Sequence, residues 1–195
     1  VHRGAAANFS DKDIKPSKIT ANAVYLTSLG GNLDLAAMIA KTCKQKGALL
    51  AWNPGSSELK AGHGLDLIRK LVNILIVNLE EAQLLSKQKS INPKLQCEYL
   101  SLPGSIVVVT DGQNGAYARK DKSTWHCRTS GVASISRTGA GDAFGSAFTA
   151  AILNEMSIED ALRLGTMNAE SVVQHVGAKA GILSAWPKAT ELSQY

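Results

Sequence analysis

No stretch of this 195-residue chain reaches the roughly 18 consecutive apolar residues of a membrane span, and its first residues lack the basic-then-apolar pattern of a secretory signal. A membrane-spanning helix is therefore excluded, and a cytoplasmic protein is expected. Cysteine is scarce: Cys43, Cys97 and Cys127 are odd in number, without C-x-x-C spacing and without a neighbouring histidine pair. That pattern supports neither a disulfide framework nor a zinc site, and the three read as reduced thiols. His126 stands directly beside Cys127, but adjacent residues of a strand point to opposite faces and cannot readily share a metal. The net charge of +5, with a pI near 9.1, is scattered along the chain rather than gathered into a basic stripe with interleaved aromatics. Nucleic acid is accordingly not expected as a partner. Internal repeats, low-complexity tracts and linkers are also missing, so residues 1–195 read as one domain. What remains, 45% hydrophobic and 19% charged, is the composition of a globular domain with a substantial core.

The hydrophobic pattern sets a rhythm. "AVYLTSLG" (23–30) is a short apolar run, and Asn32 then caps "LDLAAMIAKTCKQKG", whose Leu35, Met38, Ile39 and Thr42 recur at helical spacing until Gly47 stops the helix. "ALLAWNPG" (48–55) predicts a second strand broken at Pro54-Gly55, followed by a weaker helix through "GLDLIRKL". "NILIVN" (73–78) and "SIVVVT" (105–110) are further strands, separated by the helical "LEEAQLLSKQ" and by "NPKLQCEYLS" with Pro93 in its first turn. Continuous apolar strands alternating with helices predict a mostly parallel sheet covered on both faces, a three-layer α/β/α fold. "GAYARK" and "STWHCRT" instead alternate apolar and polar residues about "KDKS", which predicts an antiparallel hairpin at the sheet edge. Two long helices, roughly 140–154 and 158–176, and a short C-terminal one complete the expected order.

The chemistry concentrates in "SRTGAGDAFGSAF" (136–148), which packs three glycines and one acid between an apolar run and an amphipathic helix. Strand-to-helix turns in open α/β folds lie at the carboxyl ends of the strands, where ligands bind. Gly139 and Gly141 allow close approach of the backbone, and the first-turn amides near Ala140, Gly141 and Asp142 suit an oxyanion or phosphate. Asp142 has two readings, a carboxylate stabilising the helix dipole or a general base beside an anion hole. The phosphate loop G-x-x-x-x-G-K-[ST] is absent, and Gly139, Gly141 and Gly145 give G-x-G-x-x-x-G rather than the dinucleotide fingerprint.

"RTGAGDAFGSAF" resembles the second signature of the ribokinase-like sugar kinases, the phosphofructokinase-B family, and its GAGDAF core matches that signature fully. Other segments resemble the family's landmarks in order. "VNLEEAQLL" resembles an N-x-x-E motif through Asn78 and Glu81, which the resemblance implies would organise Mg²⁺ and the phosphates by way of water; an N-cap with Glu three residues later is equally a capping box. "VVVTDGQNGAYA" resembles the strand and turn holding the nucleotide, through Thr110, Gly112 and Gly115, where a β-turn needing positive φ is the alternative. "MNAESVVQHVGAKAG" resembles the adenine-side helix and loop, with Asn168 near the base and Gly177 in the following turn; a helix C-cap is the alternative there. "AWNPG" and "HRGAAANFSDKDI" also resemble family segments, so the likeness covers essentially the whole chain.

The resemblance implies ATP-dependent phosphorylation of a hydroxyl on a sugar, nucleoside or sugar-like molecule. Asp142 would take the proton, the amides of 139–142 would stabilise the transferring oxygens, and Mg²⁺ would be held largely by water with Glu81 behind it. Two departures stand out. Ser136-Arg137 replaces the family's Asp-Thr, which puts a monovalent cation in doubt and leaves Arg137 as either a fixed charge or a solvated side chain. The chain also starts at "VHRG" in what looks like mid-fold, without the family's first strands, sugar-binding residues and β lid. Two readings follow: a kinase represented by its catalytic and nucleotide half, binding nucleotide with slow or no turnover, and a non-catalytic nucleotide-binding or assembly module. An exposed sheet edge makes self-association into a homo-oligomer an expectation.

Overall fold

A computed structural model describes residues 9–10, 12–62 and 64–195; most of the "HRGAAANFSDKDI" segment lies outside them. Six strands form one sheet in sequential order: β1 (Ala23–Leu26), β2 (Leu49–Trp52), β3 (Ile74–Asn78), β4 (Ile106–Thr110), β5 (Ala116–Lys120) and β6 (Ser123–Cys127). The first four pair in parallel, and β4, β5 and β6 pair antiparallel, so the expected hairpin sits at one edge and β1 at the other. The strands "AVYL" and "LLAW" end earlier than the apolar runs that contain them, because the chain turns at Gly30-Gly31, both with positive φ, and at Pro54.

Helix α1 (Leu33–Lys46) begins where Asn32 accepts the Leu35 amide and ends at Gly47, in the left-handed conformation that a side chain disfavours. Two short helices, α2 (Ser56–Ala61) and α3 (Leu65–Arg69), occupy the stretch for which the sequence predicts one weak helix; Gly62 and Gly64, both with positive φ, divide it. Then follow α4 (Leu79–Ser86), α5 (Pro93–Leu100), α6 (Ala140–Leu153), α7 (Ile158–Val173) and the short α8 (Ala189–Leu192). Pro93 opens α5, where its missing N–H costs nothing. The last turn expected of the helix reaching 176 is not helical: α7 closes at Val173.

The strands advance across the sheet in one direction, so connections of a single hand put their helices on one face. Along β4 the side chains alternate accordingly. Val107 and Val109 join the core beneath α1, α4 and α5, whereas Ile106 and Val108 join the core beneath α6, α7 and α8. The result is the three-layer α/β/α arrangement expected from the strand pattern. His126 and Cys127 divide in the same way, the imidazole stacking on Tyr117 at 4.0 Å and the thiol entering the α7 side.

The three thiols are free and buried. Burial pushes Cys97 up to about 12 and raises Cys43 and Cys127 as well, leaving little thiolate in the folded state. At about pH 8 an aromatic disulfide reagent is therefore expected to leave the native protein unmodified over minutes and to titrate all three thiols after unfolding in guanidinium. Prompt reaction of any one in the native state would contradict this packing.

Candidate active site

The carboxyl ends of β2, β3 and β4 meet the N-terminus of α6 around a cleft of about 240 Å³. Its sheet side is formed by Asn53 after β2, by Ile76–Asn78 of β3 and by Thr110 of β4. Asn78 and Thr110 are partners in the parallel ladder, so the ends of two strands place them side by side. Glu81 of α4 and Gly139, Gly141 and Asp142 of the glycine turn complete it.

The three glycines of the turn serve three different purposes. Gly139 is the N-cap of α6 at φ 87°, and a Cβ there would lie 2.3 Å from the Ala178 carbonyl oxygen. Only glycine accommodates both the conformation and the contact. At Gly141 a Cβ would meet nothing within 4 Å, so the turn is open to the cleft at that point. Gly145 makes room for Tyr25, whose hydroxyl occupies the space a Cβ would need. Burial, reinforced by the charges of Asp142 and then Glu81, pushes the Tyr25 phenol far up and keeps it neutral.

The first-turn amides are not equivalent. The Ala140 amide turns back to the Arg137 carbonyl at 3.3 Å, whereas those of Gly141 and Asp142 find no acceptor among the described residues. Of the four amides at 139–142, that of Ala140 is thus engaged in the turn, and those of Gly139, Gly141 and Asp142 have no hydrogen-bond acceptor among the described residues. The exposed Asp142 carboxylate accepts no hydrogen bond among the described residues and lies in the cleft as well as in the helix's first turn. The turn itself is fixed from behind. Buried Glu170 of α7 accepts the amide and hydroxyl of Ser130, both at 2.7 Å, and the Ile135 and Ser136 amides donate to the Val173 carbonyl at 2.7 and 3.1 Å.

Asn78 and Glu81 form the reciprocal capping box: the Glu81 amide donates to Asn78 Oδ1 at 2.8 Å and the Asn78 amide to Glu81 Oε2 at 3.0 Å. Glu81 lines the cleft as well, and burial raises its carboxyl above the ordinary range. The capping and ligand-facing readings of this motif are therefore compatible. No group of three or more carboxylate, histidine or cysteine side chains that could hold a metal occurs among the described residues. Two separated carboxylates, Glu81 and Asp142, supply hard oxygens suited to a Mg²⁺ that keeps most of its water, and would not form a closed cage.

The remaining predicted residues stand apart from the cleft. Gly112 opens a 3₁₀ turn (Gly112–Asn114) beyond β4 and has open space beside it; Gly115 closes that turn at φ 91°, with the Cys127 carbonyl 2.0 Å from where its Cβ would be, so its position is set by packing on β6. Gly177 lies in the exposed loop after α7, next to the Ala178 that abuts Gly139, at φ 108° and with open space beside it. Asn168 is buried, with Nδ2 donating to the Ala143 carbonyl at 2.8 Å and Oδ1 accepting the Leu183 amide at 2.9 Å. Both of its polar ends are committed within the protein, where they tie the α7 loop to α6. Arg137 is exposed and makes no ion pair among the described residues. Sequence reasoning missed Asn53 as a lining residue. Its signal was the break "AWNPG", since a strand stopped by Pro-Gly at the carboxyl edge delivers its last polar residue to the ligand side.

A model of the pfkB family carbohydrate kinases matches residues 1–185. The chain belongs to that family. The ribokinase of Haemophilus influenzae is 24% identical over 185 residues, which is 92% of this chain and 59% of that protein. Among solved structures, a probable sugar kinase from Rhizobium etli aligns with a TM-score of 0.77 at 22% identity, covering 96% of this chain and 57% of the other. The Anopheles gambiae adenosine kinase, solved with P1,P4-di(adenosine-5) tetraphosphate, aligns at 0.76 and 20% identity, covering 89% and 58%. The chain therefore spans less than two thirds of the length of each relative, and the structural likeness establishes the ribokinase-like fold. No helix among the described residues is long and apolar enough to cross a membrane.

Asn168 is the predicted site residue whose structural commitment is easiest to measure. Asn168→Ala removes two buried hydrogen bonds and strands the Leu183 amide, while the Ala143 carbonyl keeps the Ser146 hydroxyl, so urea unfolding should show a loss of about 1–3 kcal/mol. A loss under about 0.5 kcal/mol would mean that the α7 loop is held by other contacts.

Proposed function

We propose that the chain carries the nucleotide-phosphate site and general base of an ATP-dependent phosphotransferase whose acceptor is a hydroxyl of a sugar, nucleoside or sugar-like molecule. The observation that carries this reading is the meeting, in one cleft, of two unpaired helix-N-terminal amides with the Asp142 carboxylate. A pure anion site gains nothing from a carboxylate beside its amides, since the carboxylate repels the anion that the amides attract. A site that must remove a proton from an attacking hydroxyl and then stabilise a phosphoryl group needs both.

In that reading Asp142 accepts the hydroxyl proton as the oxygen attacks the γ-phosphorus and the bond to the leaving ADP oxygen breaks. The Gly141 and Asp142 amides donate to the equatorial oxygens that carry the charge in transit, and Gly141 lets those oxygens approach the backbone. Asn78 and Glu81 order the opposite side of the cleft, with Thr110 beside Asn78 on the next strand. Mg²⁺, when bound with the nucleotide, would neutralise phosphate charge, and Glu81 is the carboxylate placed to hold its water shell. The nucleotide would extend from the cleft past Thr110 and Gly112 and along the Gly177 loop. The fixed charge that a monovalent cation would supply has no evident substitute in Arg137, whose side chain is solvated.

Calorimetric titration of the chain with Mg-ATP and, separately, NAD tests the nucleotide reading. Binding of Mg-ATP without binding of NAD is expected, and failure to bind any adenine nucleotide would sink the proposal. Asp142→Asn should leave Mg-ATP affinity within a few-fold and reduce sugar-dependent ATP turnover by about 10²–10⁴-fold. Binding with no sugar-dependent turnover in the unmodified chain would favour the non-catalytic module. Gly141→Ala separates ligand from fold. Placed in a helix with open space around it, the methyl should stabilise the protein by about 0.5–1 kcal/mol, yet it should weaken Mg-ATP binding by about 10-fold or more. Unchanged affinity would remove Gly141 from the site.

A further inference from the structure

Glu58, in α2, is fully buried without a cationic partner among the described residues. Its carboxylate instead collects the ends of two loops. Oε1 accepts the Leu29 amide at 2.6 Å, the Gly31 amide at 2.9 Å and the Ser28 hydroxyl at 3.0 Å. Oε2 accepts the same hydroxyl at 2.8 Å and the Gly55 amide at 3.0 Å. Every partner is a donor, which a carboxylate satisfies and a glutamine of the same shape does not, because its NH₂ would face an N–H. The loops are in van der Waals contact as well: a Cβ on Gly55 would lie 2.8 Å from Ser28 Cβ and Oγ, and Gly31 holds φ 96° against Ser57. A buried charge compensated by neutral donors alone is costly unless each donor is held in place, so the carboxylate and the two loops must be ordered together.

Those loops leave the carboxyl ends of β1 and β2, and the second begins with Asn53. Asn53 is fixed by its amide to the Leu26 carbonyl and by Nδ2 to the Ile76 carbonyl, both at 2.8 Å, and it lines the reaction cleft. We infer that Glu58 is a positioning residue, whose carboxylate locks the Ser28–Gly31 and Asn53–Glu58 loops into one rigid wall and thereby holds Asn53 against the cleft. The consequence for ligand binding rests on the reading of the cleft as a nucleotide-phosphate site; the locking of the loops does not.

The test uses Glu58→Gln in the whole chain, at a temperature where its circular dichroism matches that of the parent. Amide exchange is expected to accelerate by about 100-fold at Leu29, Gly31 and Gly55 while Val107–Val109 in β4 keep their protection. Mg-ATP should bind about 10-fold more weakly, because the wall borders the cleft assigned to the phosphates. Unchanged exchange at the three amides, or faster exchange everywhere, overturns the proposal; so does selective exchange with Mg-ATP affinity unaltered, which a merely structural clamp would give. If Glu58→Gln does not fold, Ser28→Ala removes a single donor and should give the same selective exchange in weaker form. A parent chain that binds no Mg-ATP, yet shows the selective exchange, would leave the locked wall standing and reject only the nucleotide reading of the cleft.

Discussion

The cleft depends on one contact between two stretches of backbone, Gly139 against Ala178. Helix α6 can begin with unpaired amides facing the strand ends only if the chain enters it sharply, and the entry uses a left-handed residue pressed onto a neighbouring carbonyl. A side chain at that point would pay twice, for the conformation and for the collision. Glu170 and Val173 grip the approach to the turn, while Asn168 ties its first helical residues to the segment around Leu183. The most open part of the site is thus held by the most closely packed.

Two buried glutamates frame this arrangement from opposite sides. Glu170 binds the segment entering α6, and Glu58 binds the loops that leave β1 and β2. Both accept from donors that loops leave unsatisfied, so backbone irregularity near the cleft is matched by carboxylates placed behind it. Burial first and Glu170 second push the Tyr195 phenol up to about 12. In the cleft itself Asp142 accepts no hydrogen bond among the described residues, and Glu81 is held by the Asn78 amide.

Asn78 and Glu81 show that a structural and a functional reading of a motif need not compete. The capping box fixes the start of α4, and the same two residues line the cleft. At Asn168 the structure adds a structural role, one bond from Nδ2 to the Ala143 carbonyl and one to Oδ1 from the Leu183 amide.

The amino-acid sequence by itself determined what depends on neighbours along the chain: the four apolar strands, the edge hairpin, the Asn32 and Gly47 ends of α1, the Asn78–Glu81 box and the glycine turn with its acid. Each is a local preference of a few residues, and a period of two or of 3.6 is visible without tertiary information. The family likeness was legible for the same reason, since its signature is contiguous. Only the tertiary structure decided which amides of the turn stay free, that Gly115 and Gly145 yield their space to Cys127 and Tyr25, that Asn53 reaches the cleft, and that Glu58 joins loops 27 to 30 positions away. Those outcomes depend on which backbone comes to lie against which after the sheet has assembled, and the spacing of residues along a chain holds no record of that.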